Sequence, residues 1–190
     1  LLEKLTGQDI VVISGSVPKG APKDTYFTWV NACREKGAKV ILDADGELLR
    51  EGLAASPCLI KPNLHEFCAL AGEKTDTPGE LARTARELMQ TYGIKKTVIS
   101  MGSRGALYVT EDKTVYAEGL KVPVRSTVGA GDSVVAALAF AEEKGMNLEE
   151  TVRLSAACGA ANVMCSGTQA AEYEGIQGLI GKVVFREIYP

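Results

Sequence analysis

Residues 126–133 read Ser-Thr-Val-Gly-Ala-Gly-Asp-Ser, STVGAGDS, and continue into the small apolar series Val134-Val135-Ala136-Ala137-Leu138-Ala139-Phe140-Ala141. The pattern is a glycine-bearing turn feeding the first turn of a helix. Gly129 and Gly131 carry no Cβ, so the chain can bend tightly and bring backbone N–H groups against a ligand. Those donors fall where a helix has unpaired N–H groups and a partial positive charge, which suits an anion such as a phosphoryl group in transfer. Asp132 stands at the same point. A carboxylate without a task there would only repel an anionic substrate, so it reads as a proton acceptor beside an anion hole. A GxGD core alone has a blander reading, because Asp is a favoured helix N-cap and Gly is common in loops. The full octet with a small-residue helix behind it is much rarer.

Outward from this segment, short β-branched runs alternate with helical patterns. Strands are expected at Ile10 to Ser14, Ala38 to Asp43, Cys58 to Lys61 and Thr97 to Ser100, with amphipathic helices near 24–36, 46–54, 63–71 and 78–92. Such alternation argues for βαβ crossovers and a parallel sheet covered by helices on both faces. Thr77, Pro78 and Glu80 mark a helix start by cap, first-turn proline and acidic third position. From 106 to 118 the period changes, and Ala106 to Thr110 and Thr114 to Ala117 flank Glu111-Asp112-Lys113 as an antiparallel hairpin. Two helices follow, near 132–144 and 148–164, the second opened by Asn147 with Glu149 and Glu150 in its first turn. Trp29 falls at helical spacing with Tyr26, Val30 and Cys33 and is expected in a core-facing stripe, whereas His65, the one histidine, reads as an ordinary helix residue. No repeat, low-complexity tract or linker divides residues 1–190.

Composition sets outer bounds. With 190 residues, 46% of them apolar, the chain can bury a core without staples. A net charge of -3 and a pI near 5.4 offer no electrostatic footprint for nucleic acid or an anionic membrane. Five cysteines without CxxC spacing are expected as buried thiols of a reducing cytosol, not as a disulfide framework or zinc site. Leu1-Leu2-Glu3-Lys4-Leu5 is too short and too charged for a signal peptide, and no apolar run reaches membrane-spanning length. The expectation is a soluble, cytoplasmic protein. Its opening at Leu1, near the end of a helix and close to the apolar strand Ile10-Val11-Val12-Ile13, is read as the loss of an N-terminal portion.

Three further segments bear on phosphoryl transfer. Lys61-Pro62-Asn63-Leu64-His65-Glu66 leaves a strand at its carboxyl end, where open parallel sheets bind ligands. Asn63 and Glu66 also have the spacing of a capping box, and the two roles can coexist. Lys61 offers a cation to phosphates. Ser100-Met101-Gly102-Ser103-Arg104-Gly105 leaves another strand, with two glycines that would admit a ligand to the backbone or simply form a turn. Ser14-Gly15-Ser16-Val17-Pro18 follows the first strand and, as turn chemistry alone, carries no function.

Taken in order, these four segments resemble the ribokinase-like (PfkB) carbohydrate kinases, and the resemblance covers essentially the whole chain. STVGAGDS is similar to the family's second signature. Its Asn-x-x-Glu element matches Asn63 to Glu66, its Ser-x-Gly-x-x-Gly nucleotide turn matches Ser100 to Gly105, and its Gly-Ser-Val/Leu-Pro sugar turn matches Gly15 to Pro18. Because STVGAGDS is accompanied by Ile41-Leu42-Asp43 and the KPN turn, the sequence is most similar to bacterial kinases of fructose 1-phosphate, with the tagatose 6-phosphate kinases as near relatives.

The resemblance implies an α/β fold with three α/β/α layers and a mostly parallel sheet carrying a β-hairpin. It implies transfer from ATP with Mg²⁺ to a small-molecule sugar phosphate, giving fructose 1,6-bisphosphate from fructose 1-phosphate, and it allows a homodimer. Asp132 would be the general base, with Gly129, Ala130 and Gly131 directing N–H groups at developing charge. Lys61, Asn63, Ser100, Gly102, Ser103, Arg104 and Gly105 would hold the nucleotide, Gly15 and Ser16 the sugar, and Glu66 and Asp43 would organise the metal. The family's first glycine-rich signature, its sugar-covering lid and its substrate-phosphate cations belong to an N-terminal part absent from these residues. Residues 1–190 are therefore expected to be the C-terminal nucleotide-binding and catalytic portion of one domain, inactive by itself. A noncatalytic nucleotide-binding module is the alternative of another class. A generic Rossmann-like protein ranks last, since no GxGxxG follows an early strand.

Overall fold

A computed structural model describes residues 2–72 and 74–189. Among them a single seven-stranded sheet has its strands in chain order: β1 (Ile10–Ser14), β2 (Lys39–Asp43), β3 (Leu59–Ile60), β4 (Lys96–Ser100), β5 (Gly105–Thr110), β6 (Thr114–Glu118) and β7 (Phe185–Glu187). β1 to β4 pair in parallel and the remaining pairings are antiparallel, so β1 to β4 and β6 run one way while β5 and β7 run back. The helices are α1 (Thr25–Glu35), α2 (Gly46–Ala54), α3 (Leu64–Ala71), α4 (Pro78–Tyr92), α5 (Ala130–Lys144), α6 (Leu148–Val163) and α7 (Tyr173–Ile180). Short 3₁₀ turns cover Leu2–Lys4 and Gly102–Arg104.

The three layers follow from strand alternation. Val40, Leu42, Ile60, Ile99, Leu107 and Val109 point to one face, where they meet Tyr26, Leu49, Phe67 and Leu81 of α1 to α4. Ile41, Leu59, Val98 and Tyr108 point to the other, where they meet Val135, Leu138, Val152 and Leu179 of α5 to α7. Successive side chains of a strand face opposite ways, and both faces here are apolar because both are covered. Right-handed crossovers that keep advancing in one direction put their helices on the same face. This is why α1 to α4 share a layer and the chain needs α5 to α7 for the other.

Local chemistry sets the helix ends. Thr77 accepts from Glu80 N–H with Pro78 in the first turn of α4, and capping boxes Asn63/Glu66 and Asn147/Glu150 open α3 and α6. Two elements escape a sequence reading. Helix α7 contains Gly175 and Gly178, poor helix formers, and β7 has three residues, too few for a period. Trp29 departs from expectation: Tyr26, Val30 and Cys33 are buried, but Trp29 is 48% exposed. It lies at the edge of the stripe, its ring 5.7 Å from that of Tyr26, over the shoulder of the core. The cysteines are all free, but only Cys33 is buried and the other four are half-buried. No described helix is long and apolar enough to cross a membrane.

Candidate active site

The carboxyl ends of β2, β3 and β4 open onto a cavity of 610 Å³ that runs beneath the start of α5 and along α6. Its polar wall contains Asp43, Lys61, Asn63, Glu66, Ser100, Gly102, Ser103 and Gly105, all singled out in the sequence. Backbone contacts join their turns. Asn63 bridges Ser100 in parallel fashion, and Ser100 N–H donates to Pro62 C=O at 3.0 Å. The KPN turn and the Ser100–Gly105 turn thus form one structural unit.

Gly105 shows why a glycine is needed there. Its φ is +106°, and a Cβ would come 2.0 Å from the carbonyl oxygen of Ala117. Gly119, opposite, has no more room, with Ser103 C=O at 2.0 Å from its Cβ position. The turn and the end of β6 are in backbone contact, which shapes one lip of the cavity.

At the other lip, Gly129 caps α5 in the left-handed conformation, with φ +78°, so the helix starts at Ala130, and Asp132 is its third residue. That start lies two residues earlier than the sequence pattern suggests, and Asp132 is therefore no N-cap. Its carboxylate is exposed and makes no capping bond. The N–H of Ala130 turns back to Thr127 C=O at 3.4 Å, and the helix ladder begins with Ser133 N–H to Gly129 C=O at 2.9 Å. The N–H groups between them, on Gly131 and Asp132, find no acceptor among the described residues. They are open donors at the positive end of a fifteen-residue helix.

Lys61 completes this corner. Its side chain is 6% exposed, and Nζ lies 3.1 Å from Asp43 Oδ1 and 3.7 Å from the position a Cβ would take on Gly131. A cation thus lies against the start of α5, where two N–H groups are unused, an arrangement suited to a phosphoryl anion.

Glu66 is held by its own helix start. Oε2 accepts Asn63 N–H at 2.8 Å, Oε1 accepts from the Asn63 amide, and Asn63 Oδ1 accepts Glu66 N–H at 2.9 Å. The capping box is present, and Glu66 is also one of the residues lining the cavity. Among the described residues no cluster of three or more His, Cys, Asp or Glu side chains could cage a metal.

Gly15, Ser16, Arg104, Gly129 and Asp132, also expected at the site, are not among the residues lining the cavity. Gly15 and Ser16 are exposed beyond β1, and Gly15 N–H donates to the carbonyl of Asp43, a cavity-lining residue, at 3.1 Å. Arg104 turns outward to Asp76 at 3.2 Å, a surface pair. Gly129 lies behind the turn, against the side chain of Asn162.

The opposite wall was not picked out from sequence. Ala156, Gly159, Ala160 and Val163 of α6 face the cavity with Leu120, Val122 and Val124 from the β6–α5 connection. The signal was available: those four α6 residues are small and spaced i, i+3, i+4, i+7, one helix face. Gly159 also lets α5 approach, since a Cβ there would lie 2.9 Å from Val134 Cγ2. Tyr108 closes the floor, its hydroxyl 2.8 Å from Ser155 Oγ. The Ser155 hydroxyl spends its hydrogen on Thr151 C=O at 2.6 Å, so Tyr108 is the donor in that pair. Burial pushes the Tyr108 phenol up to about 12.

The model of the pfkB family of carbohydrate kinases matches residues 2–174. The chain belongs to that family. Among similar proteins, 1-phosphofructokinase of Haemophilus influenzae is 35% identical over 92% of this chain and 56% of its own length. ATP-dependent 6-phosphofructokinase isozyme 2 of Escherichia coli is 34% identical over 88% of this chain and 55% of its own. The structure of phosphofructokinase-2 from Escherichia coli in complex with substrates and products superposes with a TM-score of 0.89 at 33% identity, covering 95% of this chain and 59% of that one. Arabidopsis thaliana ribokinase complexed with ribose and ATP gives 0.76 at 25% identity, over 90% and 55%. The chain thus spans little more than half the length of these relatives, and the three-layer fold is that of the ribokinase-like kinases.

Proposed function

We propose that this chain is the nucleotide-binding and catalytic portion of an ATP-dependent kinase of a ketohexose phosphate, with fructose 1-phosphate as the acceptor and fructose 1,6-bisphosphate as the product. The observation that carries this reading is the corner where Lys61 lies against Gly131 at the start of α5, with the N–H groups of Gly131 and Asp132 unused. The apolar α6 wall takes the base and sugar of the nucleotide, while the polar turns take its phosphates. Ser100, Gly102, Ser103 and Gly105 lie along the nucleotide, and Lys61 and Asn63 lie nearer its phosphate end.

Asp132 orients the acceptor hydroxyl and takes up its proton as the new P–O bond forms. A carboxylate with a reference pKa of about 3.9 cannot ionise a sugar alcohol beforehand, so proton transfer accompanies attack. The N–H groups at the start of α5 receive the charge that builds on the transferring group; losing one well-placed donor of this kind costs roughly 3 kcal/mol of transition-state stabilisation. Gly15 and Ser16 approach the sugar from the β1 side. Magnesium is held in such sites by one or two carboxylates, water and the substrate phosphates, and would offset phosphate charge. Glu66, which lines the cavity, fits that role through water.

Positioning catalysis needs both reactants in register. Since the relatives are almost twice as long as the matched region and the sugar turn lies outside the cavity, the 190-residue chain is proposed to bind nucleotide but not to turn over sugar phosphate alone. Fructose 6-phosphate is a second acceptor reading, favoured by the near-equal identity to the Escherichia coli isozyme. A substrate panel on the complete protein, following ADP release with fructose 1-phosphate, tagatose 6-phosphate, fructose 6-phosphate and ribose, separates these. Fructose 1-phosphate is expected to give the highest kcat/KM. ADP release with none of the four would reject the kinase reading in favour of a binding module.

A further inference from the structure

Asp43 is the last residue of β2 and contacts both the Lys61 side chain and the Ser14–Gly15 turn. On one side its Oδ1 pairs with Lys61 Nζ at 3.1 Å, and both groups are largely removed from water, with side-chain exposures of 17% and 6%. On the other, Ser14 Oγ lies 3.5 Å from Oδ2, and Gly15 N–H donates to the Asp43 carbonyl at 3.1 Å. The same turn is held from below by Tyr26, whose buried hydroxyl reaches the carbonyls of Ser14 and Gly15 at 3.3 and 3.1 Å.

A lysine on a four-carbon stem has many rotamers, and an ammonium is strongly hydrated. Left unpaired, the Lys61 charge would be driven toward water and away from the N–H groups of α5. Asp43 supplies a fixed counter-charge at the end of a hydrogen-bonded strand, so the ammonium is held 3.7 Å from the Gly131 Cβ position.

We propose that Asp43 is a positioning residue that acts through Lys61, fixing the phosphate-facing cation and tying it to the Ser14–Gly15 turn, instead of serving as a magnesium ligand. This inference rests on the kinase reading for its purpose, but the pairing itself can be tested without any ligand. Two consequences follow from the geometry. Loss of the Asp43 charge should free the Lys61 amine, and the binding defects of the two residues should overlap instead of adding.

The experiment uses the 190-residue chain. Labelling of Lys61 by an amine-reactive reagent, read by mass spectrometry, is expected to accelerate about fivefold or more in Asp43→Asn, with the other lysines unchanged. Calorimetric titration with a non-hydrolysable ATP analogue is expected to show about a tenfold weaker affinity in Lys61→Met. Asp43→Asn/Lys61→Met should lie within about twofold of Lys61→Met alone, a comparison that stands even if Asp43→Asn by itself folds poorly. The magnesium concentration for half-maximal nucleotide binding should not change between the Lys61→Met single and double variants. Unchanged Lys61 labelling in folded Asp43→Asn, a further tenfold loss in the double variant, or a loss recovered by added magnesium would each overturn the proposal. If the unsubstituted chain fails to bind nucleotide, the kinase reading falls, while the labelling result still decides whether Asp43 holds Lys61.

Discussion

The two walls of the cavity are built by different means. The polar wall hangs on strand ends: Asp43 ends β2, Lys61 follows β3, Ser100 ends β4, and the Pro62–Ser100 backbone bond locks two of the turns together. The apolar wall is a face of α6 and the irregular connection from β6 to α5. Sheet register fixes the first, whereas the second is held by packing of small side chains. The polar wall should therefore fail through chemistry and backbone geometry, and the apolar wall through shape.

The largest effect is expected at the polar corner. Asp132→Asn in the complete protein keeps the shape of the residue and removes the proton acceptor, so turnover should fall about 10²–10⁴-fold while affinity for an ATP analogue stays within about twofold. Near-normal ADP release would show that the corner holds charge without performing acid–base chemistry.

The backbone of the same wall is tested by Gly105→Ala. The new Cβ would sit 2.0 Å from Ala117 C=O at a φ of +106°, which side chains rarely adopt. Neither backbone strand can yield without breaking the β5–β6 pairing, and a loss of about 3 kcal/mol in urea unfolding is expected. An unchanged midpoint would mean that this lip is soft.

The floor shared by both walls responds to pH. Tyr108 ionises at about 12 in the folded chain and, as a free phenol, near 10 in the unfolded one. Because the folded value is the higher, its contribution is fully present below pH 10 and is lost as pH rises toward 12. Two units correspond to about 2–3 kcal/mol. Thermal melts should fall across that window, and Tyr108→Phe should flatten the fall, with Ser155 still donating to Thr151.

Smaller effects compare the walls directly. Ala160→Leu on the α6 face should weaken nucleotide binding about tenfold, ~1.4 kcal/mol, with little change in melting temperature. Glu66→Gln should raise the magnesium requirement severalfold and leave stability nearly unchanged, because Gln also completes a capping box. A large stability loss with normal magnesium dependence would assign Glu66 to capping alone.

This contrast also explains what the sequence made legible. Lys61, Asn63 and Ser100 follow apolar β runs, and a residue at the carboxyl end of a parallel strand has a predictable place. Asp132 and its glycines were visible because a turn that exposes N–H groups needs unusual residues. The α6 face stayed hidden: Ala156, Gly159, Ala160 and Val163 look like any buried stripe until the neighbouring connection leaves them uncovered. Trp29 shows the same blindness in reverse, as helical spacing predicts a stripe but not which of its edges finds a partner. Arg104 was misleading for a third reason. Its turn faces the cavity, but its long side chain follows Asp76 into solvent.

Calorimetric titration of the 190-residue chain with magnesium and a non-hydrolysable ATP analogue tests most directly whether the two walls form one nucleotide site. A single saturable site is predicted, weakened about tenfold by Lys61→Met from the polar side and by Ala160→Leu from the apolar side, and retained in Asp132→Asn. No saturable binding, or binding indifferent to both Lys61→Met and Ala160→Leu, would contradict the account.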